Sequence, residues 1–248
     1  MAPSSSFIDS TASISTLIDD IIDLGTNPPS LYFDLEGIRL SREGSISILQ
    51  LLAHPKDHVY LIDVHFLKST AFTTAGSSGK TLKDILESPT IPKVCFDVRN
   101  DSDALFHHFR IALEGIQDVQ LMENASRGPG GSKRLLNGLA KCIENDAPIT
   151  MQEKQSWKAV KERGASVFAP EKGGSYEVFN DRPLNQDILG YCVQDVQFLP
   201  HLWRTYSARL SAFWRNKMED ETKNRVLESR SETYEPHGSN RTLGPWYP

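Results

Sequence analysis

Two periodicities divide the chain into regions of predicted helix and predicted strand. Apolar residues recur every three or four positions over residues 13–25, a spacing that predicts an amphipathic helix. Three short apolar runs follow at residues 31–35, 45–52 and 59–64, and polar, glycine- or proline-containing turns separate them. Three strands in close succession predict an antiparallel meander.

Beyond this meander the pattern changes to an alternation of helix and strand. It predicts a short helix at residues 82–87, a strand at 94–98, a helix at 101–109 and a short final strand at 119–122. We therefore predict an α/β fold with a mixed five-stranded sheet, in which the meander is followed by parallel strands and helices cover both faces.

The remaining sequence predicts further helices and two polar ends. Residues 164–182 are rich in glycine and aromatic residues and are expected to form an ordered loop, and a long helix is expected from residue 184 to about 214. The predicted organisation is a flexible N-terminus at residues 1–10, one domain at 11–214, and a polar C-terminal extension at 215–248.

Composition is that of an ordinary soluble protein and sets limits on its partners. The net charge of −5 gives no general attraction to polyphosphate, so any contact with nucleic acid must be local. No apolar run is long enough to cross a membrane. Three widely spaced cysteines predict reduced, buried thiols, and the absence of an N-terminal basic segment predicts an intracellular protein of the cytoplasm or nucleus.

Acidic residues occur in three places where the predicted elements begin or end. Asp34 and Glu36 lie two positions apart on a strand, so their side chains emerge on the same face. Tyr191 and Asp195 lie four positions apart on a helix, and therefore also share a face. Each pair alone is also compatible with a solvated turn or a structural helix pair.

The third place is crowded with acids. Asp101 follows a predicted strand and opens a helix, where a simple N-cap is the usual role of aspartate. Asp97 and Asp103 lie close by, so position alone does not decide which of the three is functional.

Taken together, these motifs resemble the DEDD 3'-to-5' exonucleases of the RNase D type, in the subgroup with a tyrosine in the last motif. The resemblance covers residues 30–206 and rests on three segments in the family's order. These are Asp34-Leu35-Glu36, residues 94–105 with Asp101, and Tyr191-Cys192-Val193-Gln194-Asp195. The resemblance implies an RNase H-like fold.

It also implies a two-metal mechanism with Mg²⁺ or Mn²⁺, ions that prefer carboxylate oxygens. By analogy with the family, Asp34 bridges the ions, Glu36 and Asp195 complete one site, and Asp101 anchors the other. Tyr191 is expected to orient the attacking water, because a phenol with an ordinary pKa is a poor base at neutral pH.

The implied partner is single-stranded RNA or DNA with a free 3' end, with a slight preference for RNA and no membrane contact. Leu35, His65 and Phe66 are candidates for a wall that stacks against bases. The basic residues near the third motif are candidates for phosphate contacts, although such residues are more often a solvated surface and Arg182 more often pairs with a carboxylate; they are Lys133, Arg134, Lys158, Lys161, Arg163, Lys172 and Arg182.

Two alternatives stay open from the sequence. The first is a nuclease-like protein that binds nucleic acid, or acts as a scaffold, without cutting; retention of all four acids argues against it, because buried carboxylates without metal destabilise a fold. The second is an RNase H-like endonuclease, against which the tyrosine four residues before the last acid argues.

Overall fold

The computed structural model describes residues 3–128 and 130–246, and at its centre is a six-stranded mixed sheet. The strands are β1 (Ser4–Ile8), β2 (Leu31–Glu36), β3 (Ile48–Ala53), β4 (His58–Asp63), β5 (Lys93–Cys95) and β6 (Ile116–Asp118). They lie in the order β1-β4-β3-β2-β5-β6. The antiparallel meander is β2-β3-β4, while β5 runs parallel to β2 and β6 runs parallel to β5.

Helices lie on both faces of the sheet. Their bounds are α1 (Thr11–Ile21), α2 (Val64–Leu67), α3 (Thr70–Thr73), α4 (Leu82–Leu86), α5 (Arg99–Phe109), α6 (Val119–Ser126), α7 (Leu139–Asp146), α8 (Met151–Phe168), α9 (Gln186–Gln197), α10 (Leu199–Arg209) and α11 (Ala212–Ser229). The predicted α/β architecture is confirmed. Within the described ranges, no helix is long and apolar enough to span a bilayer.

The strand count differs from the predicted five because the N-terminal segment joins the sheet. We expected residues 1–10 to be flexible, yet Ser4–Ile8 form β1, which pairs in parallel with β4. The hydroxyls of Ser4 and Ser6 also hydrogen-bond the His58 ring, at 2.7 and 2.8 Å. A serine-rich edge strand is held by its backbone and hydroxyl groups, so it shows little apolar alternation in the sequence.

Three other boundaries differ from the sequence expectation. The last strand is β6, and residues 119–122, expected as a strand, open α6 because the Asp118 carboxylate caps that helix at the Gln120 amide. The helix expected from residue 184 to 214 is interrupted near Phe198, and Pro200 lies in the first turn of α10. The expected loop after residue 164 is partly helical, because α8 continues to Phe168.

The alternation of side chains along β2 separates two apolar cores. Phe33 and Leu35 are buried on the face covered by α1 and α5, whereas Tyr32 is buried on the face covered by α6, α9 and α10. Because the side-chain period of a strand is two, Asp34 and Glu36 point to the same face as Tyr32. The carboxylates therefore emerge where α9 packs on β2, β3 and β4.

The C-terminal segment beyond residue 214 packs against the domain instead of fraying. Arg225 of α11 is buried and donates from Nη1 to the buried Asp118 carboxylate at 2.7 Å and to Gln120 at 3.0 Å. Asp118 in turn accepts the backbone amides of Asp97 and Val98. The helix thus supports the segment that leads from β5 to α5. The domain boundary at residue 214 stays a prediction.

We expect Arg225→Met to lower the free energy of unfolding by about 3–5 kcal/mol, because it leaves the Asp118 carboxylate buried without a counter-charge. Urea unfolding followed by circular dichroism measures the change. Lys223→Met is the matched control, since Lys223 is exposed on the same helix. Equal unfolding midpoints for the two variants would show that the extension is not coupled to the domain.

Candidate active site

Three carboxylates from two elements converge at the end of β2. Carboxylate oxygens of Asp34, Glu36 and Asp195 all lie within 4.8 Å of one another. Asp34 and Glu36 are half-buried and Asp195 is buried. The structure therefore brings together three of the four acids that the sequence predicted as metal ligands.

The position of α9 over the sheet is fixed by hydrogen bonds at its entry. The Asn185 side chain caps the helix by accepting a hydrogen bond from the Asp187 amide. Just before it, the Asn180 side chain accepts a 2.7 Å hydrogen bond from the Ser47 hydroxyl, beside β3. This contact ties the start of α9 to the edge of the sheet at which Glu36 lies.

The three neighbouring aspartates of the second motif have different partners. Asp97 accepts two hydrogen bonds from Arg99, at 2.6 and 2.7 Å, and Asp103 accepts from the Arg42 side chain at 2.7 Å. Burial alone would raise the pKa of Asp97, but the Arg99 guanidinium holds it below its usual value. Both acids are thus neutralised by arginine and serve the fold.

Asp101 is different from its two neighbours. It is buried in the first turn of α5, and its Oδ2 has no hydrogen-bond partner among the described residues. Burial raises the pKa of Asp101 well above its usual range, and the negative charge of Asp34 is the next largest cause. Asp101 therefore faces the same site, although it lies outside the group of three whose oxygens approach within 4.8 Å.

A lysine from α8 supplies the positive charge at the carboxylate cluster. The Lys161 ammonium group forms an ion pair with Asp195 and lies 3.3 Å from the centre of the Tyr191 ring. Gly164 makes this arrangement possible, because a Cβ there would lie only 2.6 Å from the Tyr191 Cβ. The absence of a side chain at Gly164 lets the Tyr191 ring pack against the α8 backbone.

Burial and mutual repulsion oppose ionisation of the cluster. Burial, followed by the charge of Asp195, raises the pKa of Asp34 to about 8, and the same two causes raise the pKa of Glu36. The Lys161 charge acts in the opposite direction on both groups. One lysine does not compensate three carboxylates, so the site has a strong demand for further positive charge.

Tyr191 lies beside the cluster as an uncharged phenol. Its ring contacts Phe168 edge-on, with the centroids 4.9 Å apart. Burial raises the pKa of Tyr191 far above its ordinary value, and the charges of Asp195, Glu36 and Asp34 raise it further. The hydroxyl therefore keeps its proton at physiological pH and is available as a hydrogen-bond donor.

The residues present fit a hard divalent cation. Magnesium and manganese ions prefer carboxylate oxygens, and this cluster offers several within a span of a few ångströms. The buried Oδ2 of Asp195 has no hydrogen-bond partner among the described residues, which is costly unless a cation binds it. The spacing and donor atoms of these carboxylates thus fit a divalent cation.

The candidates for contacts with bases lie in different environments. β4 ends at Asp63, which pairs with Ile48 of β3, and Ile48 also pairs with Glu36 of β2. The residues that follow β4 therefore lie at the same end of the sheet as Glu36. Phe66 is 69% exposed there, and His65 precedes it. Leu35 is 2% exposed in the opposite core, so its predicted role as part of a stacking wall does not agree with its position.

Four of the seven basic candidates, Lys158, Lys161, Arg163 and Arg182, are engaged in ion pairs. Arg182 donates to Asp63 at 2.5 Å, the structural role considered for it from the sequence. Lys158 pairs with Glu144, and Arg163 pairs with Asp187. Lys158 and Arg163 remain half-exposed, so their pairing leaves them accessible to a phosphate. Sequence reasoning grouped Lys161 with these residues and missed its contact with Asp195, which depends on how α8 crosses α9.

Sequence comparison identifies a related family for most of the chain. A family model described as 3'-5' exonuclease matches residues 10–210. The mouse piRNA biogenesis protein EXD1 is 35% identical over 88 residues. That segment is 36% of this chain but 14% of the mouse protein, so the chain spans only a small part of that relative's length.

Solved structures of low sequence identity share the fold. RNase D of Trypanosoma brucei in complex with RNA U12 has a TM-score of 0.72 and 20% identity, over 92% of this chain and 71% of that chain. Escherichia coli RNase D, described as an exoribonuclease involved in structured RNA processing, has a TM-score of 0.63 and 18% identity, over 92% of this chain and 51% of that chain. The catalytic core of Trypanosoma brucei RRP6 has a TM-score of 0.62 and 15% identity, over 92% of this chain and 52% of that chain. These matches confirm the RNase H-like fold.

We expect Lys161→Met to bind Mn²⁺ at least about tenfold more tightly, because it frees Asp195 and removes a repelling charge from the cluster. Calorimetric titration of the protein with Mn²⁺ measures this without any substrate. Lys158→Met is the matched control, since Lys158 lies three residues earlier on α8 and pairs with Glu144. Weaker or unchanged Mn²⁺ binding by Lys161→Met would show that the lysine does not compete with the metal.

Proposed function

The chain belongs to the DEDD superfamily of 3'-5' exonucleases as an RNase D-like member, and from this premise we propose a specific activity. It releases nucleotides from the 3' end of single-stranded nucleic acid with two divalent ions, Mg²⁺ or Mn²⁺. The observation that carries the proposal is the convergence of Asp34, Glu36 and Asp195 beside Tyr191. An intracellular location, in the cytoplasm or nucleus, stays a prediction.

The four acids have distinct proposed roles. Asp34, Glu36 and Asp195 hold one metal ion at the cluster. Asp101 is buried, and its Oδ2 has no hydrogen-bond partner among the described residues, so this residue is proposed to hold a second metal ion. When bound, two ions activate water and stabilise charge on the attacking and leaving oxygens of a phosphodiester. Partial burial of the acids lowers the local dielectric and so strengthens the charge interactions in the site.

Tyr191 and Lys161 position groups around that centre. The protonated Tyr191 hydroxyl is proposed to donate a hydrogen bond that orients the attacking water, the role expected for the tyrosine-containing subgroup of the family. In the metal-free chain the Lys161 ammonium group pairs with Asp195 and lies against the Tyr191 ring, so it contacts both members of the third motif. Neither residue acts as a base in this scheme.

The substrate is proposed to be RNA in preference to DNA. Support comes from the fold shared with RNase D of Trypanosoma brucei, whose structure includes RNA. The exposed Phe66 ring, at the strand edge where Glu36 lies, offers a surface on which a base stacks. The net charge of −5 is compatible with this, because metal ions and a few local cations provide the contacts to phosphate.

The direct test uses single strands of RNA and DNA labelled at either end and incubated with Mg²⁺ or Mn²⁺. We expect a ladder of progressively shorter products from the 5'-labelled strand, faster for RNA, and its loss in Asp34→Ala. Asp23→Ala is the control, since Asp23 is exposed and its neighbours Ile22 and Leu24 pack on the face of the sheet opposite the carboxylates. Internal cuts without a ladder would indicate an endonuclease, and binding without cleavage by the unmodified chain would indicate the non-catalytic alternative.

The tyrosine provides a second, quantitative prediction. Tyr191→Phe removes one hydrogen bond and leaves the carboxylates in place, so we expect turnover to fall about tenfold to a hundredfold. Asp34→Ala, which removes a metal ligand, is expected to abolish turnover. Single-turnover rates and Mn²⁺ titration together measure the difference. Equal and complete loss in both variants, with Mn²⁺ binding retained in Tyr191→Phe, would contradict a purely orienting role.

A further inference from the structure

The first turn of α5, which carries Asp101, has no cap from its own sequence. Val98 occupies the N-cap position, and its isopropyl side chain cannot accept a hydrogen bond from the first amides of the helix. Asp97, just before it, has a φ of 62°, a left-handed conformation that residues other than glycine adopt less readily. The position of this turn therefore depends on contacts from other parts of the chain.

The segment that follows α11, residues 230–242, supplies such contacts at Asn100. Asn100 Oδ1 accepts hydrogen bonds from the Tyr234 hydroxyl at 2.9 Å and from Arg241 Nη1 at 2.8 Å. Two donors use both lone pairs of this amide oxygen and so fix the direction of the side chain. Burial raises the pKa of Tyr234 to about 12, so its hydroxyl keeps the proton that it donates. Asn100 directly precedes Asp101 in the same turn.

The segment that provides these donors is held at both of its ends. Arg42 donates from Nη2 to the backbone carbonyls of Ser229 and Ser231, at 2.8 and 2.9 Å. At the far end, Arg99 donates to the Arg241 carbonyl at 2.9 Å. Both donors to Asn100 thus come from a segment that is itself fixed to the domain.

Asp101 needs such support because its surroundings repel it. It lies near the negative charges of Asp34 and Asp97, which act against its carboxylate once that group is ionised to bind a metal. Its Oδ2 has no hydrogen-bond partner among the described residues, so no contact at that atom opposes a displacement. The two hydrogen bonds at Asn100 oppose it one residue away.

We propose that Tyr234 and Arg241 are positioning residues, which act through Asn100 to hold Asp101 where it binds the second metal ion. This inference rests on the proposed function, because it takes Asp101 as a metal ligand. Contacts that orient the ligands of a metal site contribute to its affinity, and the loss of one typically weakens binding by about 10- to 100-fold. Residues that only stabilise the fold would leave this affinity unchanged.

The test is Mn²⁺ titration of the full chain, in which electron paramagnetic resonance of free Mn²⁺ counts the bound ions without any substrate. We expect two bound ions in the unmodified chain and the loss of one in Asp101→Asn. Tyr234→Phe removes one hydroxyl and should weaken that same ion's binding about tenfold, with the other ion unaffected. In the Asp101→Asn background, Tyr234→Phe should have no further effect on Mn²⁺ binding, because it acts through Asp101.

Tyr60→Phe is the matched control for the loss of a tyrosine hydroxyl. The Tyr60 hydroxyl donates to Asp20 at 2.9 Å, the same length as the Tyr234–Asn100 bond, but its ring belongs to the core on the opposite face of the sheet from the carboxylates. Urea unfolding measures the effect of each variant on stability. We expect the Mn²⁺ affinity to change in Tyr234→Phe and to stay unchanged in Tyr60→Phe.

Arg241→Met removes the second donor, and its combination with Tyr234→Phe should weaken the same ion's binding further. Unchanged affinity for both ions in folded Tyr234→Phe and Arg241→Met would refute the positioning role and leave the two-metal proposal intact. An unmodified chain that binds no ion sensitive to Asp101→Asn would instead contradict the two-metal proposal, and the positioning role with it.

Discussion

The mutual repulsion of Asp34, Glu36 and Asp195 is the constraint on which the rest of the site depends. Three carboxylates this close are compatible with a stable fold only if their charge is offset or suppressed. The chain does both: burial raises the pKa of Asp34 to about 8, and the Lys161 ammonium pairs with Asp195. The Lys161 ammonium group thus supplies a positive charge at the carboxylate cluster, where a divalent ion is proposed to bind. The close crossing of α8 and α9 at Gly164 follows from this need, because it brings the lysine onto the Tyr191 ring.

A second, buried ion pair extends the site to the C-terminal helix. Arg225 neutralises Asp118, and the Asp118 oxygens accept the amides of Asp97 and Val98, which directly precede α5. Because Asp101 lies in the first turn of that helix, its position depends on a residue more than a hundred positions further along the chain. The polar extension therefore belongs to the architecture of the second motif. This also explains why Asp97, with Arg99 and Arg225 nearby, is unsuited to hold a metal.

The sequence predicted those features that depend on local periodicity and failed where distant segments meet. Side-chain alternation placed Asp34 and Glu36 on one face, and a spacing of four placed Tyr191 and Asp195 together. The same alternation shows that Leu35 must face the opposite core, a consequence the prediction overlooked. The choice among Asp97, Asp101 and Asp103 depends on Arg99, Arg42 and Arg225, of which the last two come from other parts of the chain. β1 and α11 were missed because neither shows the apolar pattern of a buried element; β1 is held by backbone pairing and α11 by a buried arginine.

The helices α8 and α9 place neighbouring side chains in different surroundings. Asp195 and Gln194 are consecutive, and each has a buried oxygen without a hydrogen-bond partner among the described residues. The Asp195 carboxylate lies within 4.8 Å of those of Asp34 and Glu36, where a cation would offset the repulsion, whereas Gln194 lines a cavity that contains none of these acids. A helix turns by about 100° per residue, so adjacent side chains point into different surroundings. One helix can therefore present a metal-ligand candidate on one side and a polar cavity wall on the next.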